Sequence, residues 1–326
     1  MRRPPAAPRD SRAALTAARP RRGGPAGLRI AVLSRRPRLY TIRRLRAAAN
    51  ARGHSLRVLD PLQCYLSLGR HLPGVSYQGR ALRRIDVVLP RIGPALSSYA
   101  LAVVKQLELM GLPVVNSCSA ISRARDKLLS LQLLTQNGVA VPRTVVARNP
   151  SHVGQSLAEV GGPPVVLKLF QGTHGVGVML AETELAAQSM LDTLWSLGQN
   201  ILIQEFVAES RGRDLRALVI GGEVVAAMRR EAKLGEFRSN IHRGGKGTRV
   251  ELGAVYRRAA IEATRVMGLD VAGVDMLESV VGPKVIEINA SPGFEGLEAA
   301  TGVDIAGLLI ERVEAHAARR AEPSRG

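Results

Sequence analysis

Aromatic side chains are scarce, only 3% of 326 residues, so any core must be built from Leu, Val, Ile and Ala. Cysteine is scarcer. Cys64 and Cys118 are the only two, and their separation matches neither a metal-binding nor a redox motif. A zinc centre and a thiol nucleophile are therefore disfavoured, and two reduced thiols in a cytoplasmic protein are expected. No run approaches the roughly 20 apolar residues that a membrane-spanning helix needs, so no membrane role is expected. Acidic residues are the minority charge, 27 against 46 basic, which leaves a net charge of +19 and favours anionic partners.

That charge has structure. Arginine supplies 40 of the 46 basic residues and lysine only 6. Residues 1–27 hold seven Arg against the single acid Asp10, so this tail carries +6 of the +19 and the rest carries +13. Rich in Pro, Ala, Arg and Gly and without periodicity, the tail reads as disordered. It has no apolar core of a secretory signal; a transit peptide, an unstructured leader or a misplaced start codon all fit. Nucleotide phosphates, an acidic protein substrate and ribosomal RNA would each suit the remaining charge.

From Leu28 onward the pattern predicts strands at 28–34, 55–59, 85–89 and 114–116. Helices are expected from Thr41, as cap, to Gly53, and over 98–110. Strand alternating with helix implies a small open parallel sheet, with an irregular excursion between the second and third strands. No G-x-G-x-x-G follows the first strand, so a dinucleotide site there is not expected. Beyond residue 122 a helix capped by Asp126 runs to Gly138. Strand pairs then follow: 165–170 with 176–180, 201–206, and 215–220 with 223–228 across Gly221-Gly222, a hairpin signal. Helices over 184–197, 254–267 and 305–319 complete an α+β pattern.

Four groups of residues carry chemistry. Gly172-Thr173-His174-Gly175-Val176-Gly177 follows Lys168, which sits in an apolar strand. Closely spaced glycines let backbone N–H groups approach phosphate, and a lysine among apolar neighbours calls for an anion. A hairpin tip with Lys168 reaching solvent fits equally well. Strands 272–278 and 284–289 read as a hairpin; if Glu278 pairs with Lys284, Asp275 faces Glu287, with Asn289 on the same face. Two facing carboxylates favour a cation such as Mg²⁺ between them; a one-residue slip would instead leave them solvated. Gln204-Glu205-Phe206-Val207, leading into Asp214, fits the edge of a purine nucleotide or an ordinary hairpin. Arg238-Ser239-Asn240, followed by His242, Arg243, Gly244 and Gly245, fits an anion clamp or a solvated loop.

In this order the groups resemble the ATP-grasp superfamily. Blocks such as Pro90-Arg-Ile-Gly93, Arg123-Ala-Arg-Asp-Lys127, Gly235-Glu-Phe-Arg-Ser-Asn240 and Glu287-Ile-Asn-Ala-Ser-Pro-Gly293 resemble the RimK family of α-L-glutamate ligases. The likeness covers about residues 28–316. It implies an α/β, Rossmann-like pre-ATP-grasp domain over 28–122. An α+β ATP-grasp domain would follow over 123–326, with subdomains at about 123–203 and 204–316. It implies that Lys127, Lys168, Gly175 and Gly177 hold ATP phosphates, that Glu205 and Phe206 flank the adenine, and that Asp214 sits near the ribose. Arg238, Ser239 and Asn240 would close on the nucleotide, with Arg238 and Asn240 catalytic. Asp275, Glu287 and Asn289 would ligate two Mg²⁺ or Mn²⁺ ions, Glu287 bridging. His174 and Gln171 depart from the Gln and Glu expected in such a loop. The expected partners are ATP, L-glutamate and the C-terminus of a small-subunit ribosomal protein, with nucleic acid met only through the ribosome, in a homo-oligomer. The same motifs suit a ligase for a small acid, a carrier protein or a poly-glutamate chain, and the charge also suits a non-enzymatic ribosome- or RNA-binding protein. Arg91, ending the third strand, is a candidate carboxylate anchor.

Overall fold

A computed structural model of the chain describes residues 27–69, 74–93, 98–170, 177–233 and 245–321. The N-terminal domain contains β1 (Arg29–Leu33), α1 (Tyr40–Ala51), β2 (Ser55–Leu59), β3 (Cys64–Ser67), β4 (Gly74–Tyr77), β5 (Arg80–Ala81), β6 (Val87–Pro90) and α2 (Ser98–Leu109). Its main sheet is parallel, in the order β2-β1-β6. Four of the five β1 residues are buried, as expected of a strand covered on both faces. Ala31, Leu33 and Val88 pack with Val103, Val104 and Leu107 of α2 on one face. Ile30, Val32, Val87 and Leu89 pack with Ile42 and Leu45 of α1 on the other.

Several boundaries shift from the sequence reading. Leu39, not Thr41, precedes the first helix, and its side chain makes no capping bond. The third strand starts at Val87 instead of Ile85. The expected fourth strand is reduced to one parallel bridge, Val88 to Val114. The excursion is ordered after all: β3, β4 and β5 form a small antiparallel sheet.

The next unit opens with α3 (Cys118–Arg125) and α4 (Lys127–Gln136), which share Asp126: it ends the first helix and caps the second by accepting from Leu129 N. Then come β7 (Thr144–Val145), α5 (Val153–Glu159), β8 (Val165–Leu169), β9 (Val178–Ala181), α6 (Glu184–Ser196) and β10 (Ile201–Glu205). The strands form an antiparallel sheet in the order β7-β10-β8-β9, with α5 and α6 packed on the Val165, Leu167, Ile201 and Ile203 side.

The last unit holds β11 (Arg213–Ile220), β12 (Glu223–Glu231), β13 (Lys246–Arg249), α7 (Ala254–Met267), β14 (Val271–Ser279), β15 (Gly282–Asn289), α8 (Glu295–Thr301) and α9 (Ile305–Ala321). Its five-stranded antiparallel sheet runs β13-β12-β11-β14-β15. The Gly221-Gly222 turn is present, with both φ values positive (61° and 89°), as a primed two-residue hairpin requires. One sheet face packs on α7 through Leu215, Ala217, Val219, Ala272, Val274 and Met276. The opposite face is divided. Its apolar half (Leu218, Ile220, Ala226, Met228, Val271) joins α9 and the N-terminal sheet in a single core, so the end of the chain seals the beginning. Its other half carries Asp214, Arg216, Arg230 and Asp275.

Candidate functional site

Alternation along β11 puts Leu215 and Ala217 into the core and Asp214 and Arg216 on the divided face. Arg216 lies opposite Asp275 in the β11–β14 ladder and grips it with two parallel bonds, Nε to Oδ1 at 2.7 Å and Nη2 to Oδ2 at 2.6 Å. Arg230 of β12, only 3% exposed, donates to Asp275 Oδ2 at 2.9 Å and to both Asp214 oxygens at 2.6 and 2.5 Å. Two acids and two arginines thus neutralise one another where the sheet is nearly dry, and bidentate geometry gives the network its order.

Asp275 does face Glu287, as the hairpin arithmetic requires, but by a different route. The turn pairs Glu278 with Pro283 and Leu277 with Lys284, one residue off the expected register. A bulge after Asp275/Met276, at Ile286 on the partner strand, restores the facing pair. Asn289 follows two residues on, opposite Gly273.

The two facing carboxyls are not equivalent. Burial alone would raise Asp275, but the charges of Arg216 and Arg230 outweigh it and hold the group below the usual carboxylate range. Burial and then the Asp275 charge push Glu287 up, against the pull of Arg216, Lys127 and Lys168. Glu287 is exposed, yet Lys127 and Lys168 stand near enough to pull on its charge. Among the described residues neither the Glu287 nor the Asn289 side chain has a hydrogen-bond partner.

The lysines come from the four-stranded sheet and the helix before it. Lys127, first residue of α4, donates from Nζ to Leu169 O at 2.9 Å, and burial lowers its pKa. Lys168 donates to Gln204 Oε1 at 2.5 Å, and Gln204 is fixed in turn by donating to Thr144 Oγ1 at 2.8 Å. Burial pushes Lys168 down to about 8, opposed by Glu287 and assisted by Lys127. Two desolvated ammonium groups and one unpartnered carboxylate therefore meet between the two sheets. Such a place suits a polyanion brought in with a cation.

The remaining candidates fall as follows. Glu205 ends β10 and accepts from Arg143 N at 3.0 Å, from Arg143 Nε at 2.9 Å and from Lys284 Nζ. Burial would raise its carboxyl, but the bonds from Lys284 and Arg143 hold it below the ordinary range. Phe206 follows it, half-buried. Asp214 is buried and committed to Arg230, away from open solvent. Gly177 begins the return toward β9, its carbonyl accepting from Leu169 N at 2.9 Å. Gln171, His174, Gly175, Arg238, Ser239 and Asn240 lie outside the described residues.

Arg216, Arg230 and Lys284 were not singled out from the sequence. The signal that exposed Lys168, a charge inside an apolar alternating strand, was equally present in Leu215-Arg216-Ala217 and Met228-Arg229-Arg230. Asn116 was also missed. Its buried amide donates to Val271 O at 2.7 Å and Ala290 O at 2.8 Å, and accepts from Asp270 N and Val271 N at 2.7 and 2.9 Å. It clasps the start of β14 to the segment leaving β15, the two strands that present the acids.

Among the described residues no three His, Cys, Asp or Glu side chains gather as a metal cluster. The donors fit a different kind of site. One free carboxylate, one committed carboxylate and an amide oxygen suit a hard cation that takes its other ligands from phosphate and water.

Known proteins share this architecture. A family model described as the RimK-like ATP-grasp domain matches residues 124–313, and one described as the RimK PreATP-grasp domain matches residues 28–121. A relative from Thioalkalivibrio sulfidiphilus named probable alpha-L-glutamate ligase is 52% identical over 299 residues, 92% of this chain and 99% of that protein. One of the same name from Pectobacterium carotovorum is 50% identical over 293 residues, 90% of this chain and 97% of its own length. The solved structure of the ATP-grasp ligase PsnB complexed with a minimal precursor has a TM-score of 0.71 at 25% identity, covering 89% of this chain and 99% of that one.

Proposed function

The chain belongs to the RimK-like ATP-grasp family, and from that premise we propose that it is an ATP-dependent ligase joining L-glutamate to a carboxylate through an acyl phosphate. The observation that carries this reading is the meeting of Lys127 and Lys168 with the unpartnered Glu287, which accepts a nucleotide polyphosphate with its metal ion.

Lys127 and Lys168 bind the phosphate chain, and each regains the full stability of its charge when an anion replaces the dry surroundings. In this reading Gly175 and Gly177 would add backbone N–H donors to the phosphates. Glu287, Asn289 and Asp275 would hold Mg²⁺ or Mn²⁺, two ions in the finer form of the proposal. Bound there, the metal supplies charge neutralisation on the β- and γ-phosphates. Arg216 and Arg230 fix the Asp275 oxygens in place. Glu205 and Phe206 border the adenine, with Glu205 held by Lys284 and Arg143 so that it presents backbone edges in a fixed line. Asp214, spent on Arg230, takes a supporting part in place of a ribose contact. The resemblance assigns Arg238, Ser239 and Asn240, which lie outside the described residues, to closing on the nucleotide, with Arg238 and Asn240 as the catalytic pair.

The acceptor carboxylate attacks the γ-phosphorus, ADP leaves, and the glutamate amine then attacks the acyl carbon as phosphate departs. No covalent nucleophile of the enzyme is needed. Positioning and fixed charge do the catalysis. The acceptor we assign is the C-terminus of a small-subunit ribosomal protein, in keeping with the resemblance and with PsnB, a relative solved with a precursor peptide and AMPPNP. A small acid, a carrier protein or a growing poly-glutamate chain is the second reading, because the phosphate chemistry is the same for all. The test is incubation with ATP, Mg²⁺, L-glutamate and each acceptor class, followed by product mass. A glutamyl increment with stoichiometric ADP and phosphate supports the assignment, and the acceptor that gains it selects the reading. ATP turnover with no amide product on any acceptor overturns it.

A further inference from the structure

Open parallel sheets take ligands at the carboxyl edge, where neighbouring strands connect in opposite directions. In the β2-β1-β6 sheet that place lies between the ends of β1 and β6. Arg91 is the first residue beyond β6, and its backbone N–H donates to Leu33 O, the end of β1, at 2.9 Å. The side chain donates from Nη2 to Pro292 O, and its Cζ stands 5.9 Å from the centroid of the Phe294 ring. Those two contacts leave most of a fork of five N–H donors unused. No acid among the described residues pairs with it, and none of its nitrogens is both sealed from water and unpartnered. Burial alone, with no opposing charge, pushes Arg91 down to about 10.

A half-buried arginine with unused donors and no counter-ion is a ready partner for an anion. Pro292 places that anion. It lies three residues beyond Asn289, and its ring packs on Gly273 of β14, where an added Cβ would come within 2.8 Å. Through Pro292, Arg91 therefore stands beside the stretch of sheet where Gly273 faces Asn289, two residues along each strand from the Asp275–Glu287 pair. A planar guanidinium favours a carboxylate, which it holds by two parallel bonds.

We propose that Arg91 is a substrate-binding residue that receives a carboxylate of the amino acid supplying the amine. This rests on the ligase reading. The test titrates L-glutamate into wild-type protein and into Arg91→Gln and Arg91→Lys, each loaded with Mg²⁺ and a non-hydrolysable ATP analogue. Steady-state KM values are measured in parallel for L-glutamate, L-glutamine and glutamate α-amide. We expect Arg91→Gln to weaken L-glutamate binding at least tenfold while nucleotide affinity stays within twofold. Its KM for one of the two amides should stay near the wild-type value, which identifies the carboxylate held. Arg91→Lys, keeping the charge, should fall between. A KM rise confined to the acceptor transfers the same carboxylate contact to the acceptor terminus and overturns the assignment to the amine donor. Unchanged glutamate binding, or an equal rise for glutamate and both amides, overturns the role outright. The ligase reading fails separately, if wild type forms no amide; the calorimetric comparison still decides whether Arg91 holds a carboxylate.

Discussion

Asp275 and Glu287 face each other across β14 and β15, yet the surroundings move their carboxyls in opposite directions, Asp275 down through Arg216 and Arg230 and Glu287 up through burial and Asp275 itself. One member of the pair is already neutralised by protein. The other waits for a positive charge, which makes Glu287 the group whose state changes most when a metal–nucleotide complex enters. Glu287→Gln should reduce ATP turnover at least about a hundredfold. Stability should hold or rise slightly, because a like-charge repulsion is removed. Parallel turnover assays and urea denaturation check both halves; a turnover within threefold of wild type contradicts the assignment.

Arg230 is the most deeply buried cation of the network and serves two acids at once. Arg230→Met should cost roughly 3–5 kcal/mol, because it strands two buried carboxylates. Arg216→Met, at a position 17% exposed and holding Asp275 alone, should cost less. Denaturant unfolding of both variants gives the comparison, and the reverse order would show that the network is not centred on Arg230.

Asn116 makes four buried hydrogen bonds to the strands that present the acids. Asn116→Asp should destabilise by about 2–4 kcal/mol, since a carboxylate then faces the carbonyls of Val271 and Ala290. Equilibrium unfolding measures this; a change below about 1 kcal/mol would mean the clasp is dispensable.

Gly273 lies opposite Asn289 and leaves room for Pro292. Gly273→Ala must displace the 289–293 segment by several tenths of an ångström. We expect a loss of about tenfold or more in kcat with secondary structure retained, as small misplacements of ligands cost heavily in rate. Circular dichroism beside turnover separates this from unfolding.

The C-terminal helix docks on the N-terminal domain through Glu314, bonded to Arg52 at 2.7 and 2.8 Å and to His54 at 2.5 Å. The Arg52 bonds, and then His54, hold the Glu314 carboxyl at about 2, below its ordinary value. A depressed folded-state pKa means the docking contribution is complete above pH ~4.5 and fades as pH falls toward 2. Hydrogen exchange should show α1 and α9 loosening in that window. Glu314→Gln should flatten this pH dependence; an unaltered profile would place the acid sensitivity elsewhere.

Sequence periodicity located most long elements because their apolar faces repeat. β2 and α7 begin and end where the pattern puts them. It failed where the deciding contact is distant. Val114–Asn116 has the composition of a strand, but the Asn116 side chain turns to bond Val271 and Ala290, and one bridge remains. The β3–β5 sheet escaped because its strands are two to four residues long and lack room for a period. At the site, the facing acids were legible from hairpin spacing even though the turn register was misjudged, because the bulge at Ile286 compensates for it. The arginines that saturate Asp275 were not read, since cross-strand pairing of β11 with β14 spans some 60 residues and has no local signature.

The most direct test follows the oxygen atoms. An acceptor peptide carrying heavy oxygen in its C-terminal carboxylate is incubated with the protein, ATP, Mg²⁺ and L-glutamate, and the released phosphate is weighed by mass spectrometry. Attack of the carboxylate on the γ-phosphorus predicts one heavy oxygen in each phosphate that accompanies an amide bond. Amide formation with unlabelled phosphate would contradict the acyl-phosphate route.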